Sequence, residues 1–228
     1  MSSISLRRVT LLFFFFIISN EISAQFNGFA LYNSQRSSTT YLIDENEQIA
    51  HTWNLSTECN YTVLLKNNGN IVRGTKNNVQ TGGTNNSLSG AADAGRVQEI
   101  DPNGNIVWDF IYSSPNVLSH HDICLIGDNV LLTAWEVKSQ AELISAGFTG
   151  NVSSSGKWPT HFVEIKGDPS TGTAQIAWEW HIWDHLCQDV DPNKPNYVND
   201  ISDHPELIDI NMIQSSGGGP GGGSGDWF

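Results

Sequence analysis

GRVQEIDPNGNIVWDF (residues 95–110) reads as a β-hairpin. A short alternating run ends at Ile100, a polar Asp/Asn/Gly turn follows, and a second run resumes at Ile106 and closes on the aromatic Phe110. Alternation on both sides of residues that favour tight turns is the pattern of two paired strands. The same layout occurs twice more. TTYLIDENEQIAHTW (residues 39–53) runs through Ile43, a polar turn and Ile49 to Trp53. THFVEIKGDPSTGTAQIAWEW (residues 160–180) runs through Ile165, a longer turn and Ile176 to Trp180. A second hairpin follows each of the first two: YTVLLKNNGNIVRGT after Trp53, and HHDICLIGDNVLLTAWE after Phe110. One repeat is therefore about four strands. Repeated four-stranded units with turn-rich joints and no helical periodicity predict an all-β fold, a β-propeller of four-stranded blades. Chance similarity within a β-sandwich is the competing reading.

The chain supplies about two and a half blades of such a ring. Its third unit departs from the pattern after Trp180. HIWDHLCQDVDPNKPNYVNDISDHPELIDINM is rich in Trp, His and Asp and reads as an insertion over about 181–214. Within it, WDHLCQD suggests a helical turn or two. HPELIDI suggests a short helix with Pro205 near its first turn. A Gly-rich loop at 215–225 precedes a terminal DWF, which looks like the start of another strand. The remaining blades are thus expected from further sequence of the same chain or from other chains. The piece alone is expected to leave an open sheet edge and to aggregate.

Arg7 and Arg8, the apolar run at residues 9–18 and the small-residue EISA at 21–24 form a signal peptide over 1–24. The apolar run is too short to span a bilayer, so the partial propeller at 25–228 is expected to be secreted or periplasmic, with no membrane span. The net charge is −13. That surface repels phosphate backbones and excludes nucleic acid as a partner, but leaves small anions open because local donors can outweigh a distant mean field. The cysteines, Cys59, Cys124 and Cys187, are too few for a disulfide scaffold and form at most one pair.

His120, His121 and Asp122 open an apolar strand whose sister stretch in the first repeat is Asn60, Tyr61 and Thr62. Strand alternation sends His120 and His121 to opposite sides. Asp122 can orient a ring through its N–H and fix the tautomer. A neutral histidine shuttles protons and a protonated one binds an oxyanion; capping of the strand's backbone is the bland alternative. In the third unit His181, Asp184 and His185 cluster, with His204 further on. His181 and His185 at i, i+4 would share a helix face and could bind zinc. HExxH and CxxC are both absent, so no metal site is assigned. Asp189 and Asp191 lack the glycine and the bidentate glutamate of a calcium loop. Trp178, Trp180 and Trp183 serve either as packing and lid residues or as a sugar platform. There is no hydrolase elbow, Walker loop or dinucleotide fingerprint, and no cofactor is expected.

Over nearly all of residues 25–228 the chain resembles the N-terminal part of the arylsulfotransferase (aryl-sulfate sulfotransferase) family. The resemblance rests on GFALYNSQRSSTTYLIDENEQIAHTW, EIDPNGNIVWDF, LSHHDI, WEWHIWDHLCQDVDPNKPNY and DHPELIDINM. It implies a six-bladed propeller with a central site. The implied reaction is PAPS-independent sulfuryl transfer from a phenolic sulfate ester to a phenol, by way of a sulfuryl-histidine. Other histidines and an arginine would hold the sulfate oxygens and move protons, a sound way to stabilise spread negative charge. Under it His120 and His121 match the early HHD motif and, with Asp122, are the catalytic candidates. His181, Asp184 and His185 lie in the WHxWDHL motif and are the substrate-binding candidates. The sulfuryl-accepting histidine belongs to a later blade, and no residue here matches it, so these residues alone are expected to be inactive. The partners implied are small aryl sulfates and phenols. The rival reading is a non-catalytic ligand- or glycan-binding adhesion propeller. A metal-dependent hydrolase centred on His181 and His185 is a third.

Overall fold

The computed structural model describes residues 28–77, 88, 93–152 and 156–212. The expected signal peptide (1–24) and the Gly-rich loop (215–225) lie outside the described residues. Among these residues twelve strands and one short helix follow in order: β1 (Ala30–Asn33), β2 (Ser37–Ile43), β3 (Ile49–Leu65), β4 (Ile71–Lys76), β5 (Gly95–Ile100), β6 (Ile106–Ile111), β7 (Val117–Ile126), β8 (Asn129–Glu136), α1 (Gln140–Ser145), β9 (Thr160–Asp168), β10 (Thr173–His181), β11 (Leu186–Cys187) and β12 (Ile208–Asp209). The protein is all-β. Among the described residues no helix is long and apolar enough to cross a membrane.

The three predicted hairpins form as β2–β3, β5–β6 and β9–β10, and one chemical device closes each turn. Asp44 Oδ1 accepts from the amides of Asn46 (2.9 Å) and Gln48 (2.8 Å). Asp101 Oδ1 accepts from Asn103 and Asn105, both at 2.8 Å, and Asp168 Oδ1 accepts from Ser170 at 2.8 Å. A carboxylate that binds its own backbone two residues on holds the chain in a turn without help from packing. The left-handed position of the second turn is filled by Gly104 (φ 86°) and of the third by Gly172 (φ 72°). In the first turn Glu47 takes it (φ 60°), at some steric cost.

Ten strands join in one curled sheet with the order β1-β2-β3-β4-β5-β6-β10-β9-β8-β7. Within it β3 to β6 and β7 to β10 are two runs of antiparallel neighbours in chain order. The runs meet edge to edge through a single parallel pairing, Thr173 with Asp109. The core lies where they face each other. Val72, Val97 and Trp108 from the first run pack on Ile123, Val130, Leu132, Ala134, Val163 and Ile165 from the second.

Two expectations need correction. Trp53 and Tyr61 were expected to belong to separate elements. Instead the 17-residue β3 runs through both; its first part pairs with β2 (Thr40 with Trp53) and its last with β4 (Leu65 with Ile71). A second apolar cluster, Trp53, Ile71 and Ile100, anchors the first part of the strand: Trp53 is buried against β4 and β5. The helices expected in WDHLCQD and HPELIDI are also different. The first is a single 3-10 turn, Ile182–His185, leading into β11. The second is turn followed by β12, which pairs parallel with β11. Leu186 and Ile210 are thereby turned into a cluster with Leu143, Ala146 and Phe148, around α1. None of the three cysteines is in a disulfide, in keeping with at most one pair; Cys59 and Cys187 are buried and Cys124 is exposed.

Candidate functional site

The HHD motif sits in a bulge. His120 of β7 pairs with Thr133 and Ile123 pairs with Leu132, so His121 and Asp122 are extra residues without cross-strand partners. His121 has φ 57°, a left-handed conformation that a side chain with a Cβ adopts only at a steric cost. The bulge overturns the expected alternation. The two histidine rings meet, with Nδ1 of His120 2.8 Å from Nδ1 of His121 and centroids 4.9 Å apart at 88°. His120 is buried and stacks on Trp135 at 3.9 Å, while His121 and Asp122 are exposed. Burial is the main reason that the His120 pKa drops to about 3, with His121 adding to it; the Ala134 backbone opposes, and His161 adds a smaller push down. His120 is thus a neutral ring at ordinary pH. Asp122 does not orient either ring. Its Oδ1 accepts from Thr62 Oγ1 and from the amide of Ile123.

That Thr62 contact carries structural meaning. β3 has a register shift between Cys59 and Val63, at the sister positions of the β7 bulge. The two irregular strand mouths therefore lie side by side. Asp93 bridges them: it pairs with His120 in an isolated β-bridge and accepts from Asn60 Nδ2 at 3.0 Å.

His181 is brought to a different group. Register sets it directly across from His161, and His161 across from Ala134; Glu136 follows Ala134 by two residues on the same face. His161, His181 and Glu136 therefore converge at one end of three adjacent strands. Their ligand-type atoms all lie within 4.8 Å of one another. The two imidazoles stack in parallel, 4.6 Å apart at 2°. Glu136 Oε1 is 3.1 Å from His181 Nδ1, and its Oε2 accepts from Lys138 Nζ at 2.7 Å. Tyr112, just after β6, holds its hydroxyl 2.8 Å from His161 Nε2 and donates to Glu179 Oε1 at 3.3 Å. Burial, then Glu179, pushes the phenol well above its ordinary value, so it stays protonated. His161 is fully buried and its Nδ1 has no hydrogen-bond partner among the described residues. Burial chiefly, then His181, lowers its pKa to about 4, against the pull of Glu136. His120 pairs with Thr133 and stacks on Trp135, one residue out of step with Ala134 and Glu136, so it lies on the opposite face from this cluster.

The other predicted residues stand apart. His185 stacks on Trp180 at 4.5 Å and does not share a ligand face with His181, because a strand end and a 3-10 turn replace the helix. Asp184 is exposed and lines a surface depression with Glu142, Trp183 and Pro195. Trp183 receives Lys138 Nζ at 4.9 Å over its ring, Trp180 packs on Phe162, and Trp178 is 48% exposed. Sequence reasoning missed Tyr112, Glu136, Lys138, His161 and Glu179. The signal that would have found His161 and His181 is their shared position relative to the β9–β10 turn.

One buried cation is also distinctive. Arg73 of β4 is fully buried, donates through Nη2 to Thr57 and leaves Nε and Nη1 without partners among the described residues. Burial lowers its pKa, and nearby Cys59 works against this.

No family model matches the chain, and no curated protein matches it. Among solved structures it is similar to a protein of unknown function from Bacteroides caccae, determined at 1.35 Å, with 16% identity and a TM-score of 0.32. The alignment covers 66% of this chain and 56% of that one, so the chain spans little more than half the length of that structure.

Proposed function

We propose that this chain is the N-terminal part of a secreted, arylsulfotransferase-like β-propeller that moves a sulfuryl group from a phenolic sulfate ester to a phenol. In this reading β7–β10 form one blade, the last part of β3 with β4–β6 another, and β1, β2 and the first part of β3 three strands of a third. Support comes from the two antiparallel four-strand runs and from the matching irregularities at the start of their inner strands, which touch through Thr62 and Asp122. Export through the 1–24 signal peptide belongs to the same proposal, as does completion of the ring by further blades.

The observation that carries the catalytic reading is the His120–His121 pair: an exposed ring held in a left-handed bulge, hydrogen-bonded to a buried neutral one. An Nδ1···Nδ1 bond requires one ring to donate and the other to accept, so the buried His120 fixes the tautomer of His121, whose Nε2 is left to exchange protons at the strand mouth. Sulfuryl transfer needs that service twice. The S–O bond to the leaving phenolate breaks as the new S–N bond to the acceptor histidine forms, and the phenolate takes a proton. The incoming phenol then gives its proton up as it displaces the histidine. The acceptor histidine lies in no position of this chain. The test uses the full reading frame with a phenyl sulfate donor and a phenol acceptor. Transfer is expected, and His120→Ala and His121→Ala should each lower kcat by roughly 10²–10⁴-fold, the usual worth of general acid–base help. No transfer, or variants that match wild type, overturns the proposal. A glycan-binding propeller is the second reading, favoured by the exposed Trp178 ring; it expects Trp178→Ala to abolish glycan binding with no transfer activity in the parent.

A further inference from the structure

We infer that Glu136, His161 and His181 form a divalent-cation site of the zinc class. The inference does not depend on the sulfuryl-transfer reading, since the cluster lies on the other face of β7–β9 from His120.

The donor set comes first. Two imidazoles and one carboxylate, each with a ligand atom within 4.8 Å of the others, are a three-ligand set that leaves a fourth position for water or substrate. Nitrogen and oxygen donors of this kind suit zinc and its divalent neighbours better than calcium or magnesium, which prefer all-oxygen shells. The residues sit on three adjacent strands, with His161 and His181 in direct register. A rigid sheet therefore sets their spacing.

The hydrogen bonds then assign the lone pairs. The Tyr112 hydroxyl has one proton and gives it to Glu179 Oε1. We assign His161 the tautomer that carries its proton on Nε2 and donates it to the Tyr112 oxygen, 2.8 Å away. That leaves Nδ1 of the neutral ring as a bare lone pair in a fully buried residue, with no partner among the described residues. An unpaired polar atom in the interior is costly, and a metal ion removes that cost. A liganding histidine that donates its other N–H to a fixed oxygen is the usual outer-shell arrangement of metal sites. On the carboxylate, Lys138 holds Oε2, which directs Oε1 toward His181. The parallel stack of the two rings, 4.6 Å apart, is looser than a loaded site. Binding requires the rings to tilt toward each other.

The site is tested on the protein comprising residues 25–228 and on the full reading frame, by Co²⁺ titration followed through visible d–d absorption and by Zn²⁺ competition against a chromophoric chelator. One ion per chain is expected. His181→Ala and Glu136→Gln should weaken binding by at least about tenfold. Tyr112→Phe should weaken it by roughly 10–100-fold, the range for loss of an outer-shell partner. His185→Ala should bind as wild type does. Because His161 is buried, the partly exposed His181 is the decisive position, with circular dichroism to show that its variant is folded. Absence of a saturable Co²⁺ spectrum in the wild-type protein overturns the inference. So does a folded His181→Ala variant that binds as tightly as wild type, or a His185→Ala variant that loses the ion.

Discussion

A neutral His120 stacked on Trp135 is stable only while its ring stays uncharged. The folded state holds its pKa near 3, against an ordinary 6.5, chiefly because the ring is buried. Between those two values the unfolded chain binds a proton that the folded chain refuses, so stability rises with pH across that window. The contribution is fully present above pH 6.5 and is lost as the pH falls toward 3. Its slope is at most about 1.4 kcal/mol per pH unit for one group. His161, with a pKa of about 4, adds a second contribution of the same sign. Urea unfolding between pH 7 and pH 4 should therefore give a steeply falling stability. A His120→Gln variant, which cannot titrate, should flatten that fall by up to one proton's worth. An unchanged slope in the variant would show that His120 titrates normally in the folded protein. The same burial separates the two histidines of the HHD motif. His121 faces solvent, while His120 lies buried beneath it, the two joined through Nδ1.

At the scale of elements, the two four-strand runs are keyed together by Trp108. Its indole donates to Glu99 Oε2 at 2.7 Å and lies over β9 where residue 167 is glycine. A Cβ at position 167 would stand 2.2 Å from Trp108 Nε1. Gly167→Ala must therefore push the indole off Glu99, and overpacking of this kind costs about 1–3 kcal/mol. Chemical denaturation should record that loss. The double variant with Trp108→Phe should lose less than the sum of the two single changes, because the smaller ring makes room; strict additivity would refute the contact. Glu99 itself illustrates why these joints matter. Burial works to raise its pKa, but donors from Asn70, Lys66 and Trp108 outweigh it and hold the group below the ordinary value. How much of this was readable beforehand depends on range. The three Asp-centred hairpins were legible because each turn is closed by its own side chain. The capping box of Ser139 and Glu142 was also present in the sequence, yet α1 is only six residues and carries too little apolar periodicity to stand out. The β7 bulge was not legible, since alternation is the default and nothing local in LSHHDI announces two extra residues. The Glu136, His161 and His181 convergence needed the order and register of three strands. Spacing alone pointed instead to His181 and His185.

The whole molecule carries apolar surface that its own core does not use. On β10, Ile176 is 43% exposed and Trp178 48%; on β6, Ile106 is 50% and Ile111 47%; on the terminal strand β1, Tyr32 is 52%. β1 and β7 are the two ends of the sheet order; among the described residues β1 has a partner on one side only, whereas the outer edge of β7 is met by Ser113 at Leu118 and Asp93 at His120. Unpaired strand edges beside exposed aromatics are templates for association. The net charge of −13 opposes this by like-charge repulsion. Salt screens that repulsion, with a Debye length of about 10 Å at 0.1 M falling to about 3 Å at 1 M. The protein comprising residues 25–228 should therefore self-associate more as salt and concentration rise, read by light scattering after size exclusion. A Trp178→Ser, Ile176→Thr variant should reduce that association if β10 is the sticky face. A parent that stays monomeric from low to high salt would show that these surfaces do not associate. Under the propeller proposal the same faces lie against neighbouring blades, so the longer reading frame should remain monomeric in the conditions where residues 25–228 associate. Equal association by both would leave those faces uncovered in the longer protein and count against a closed ring.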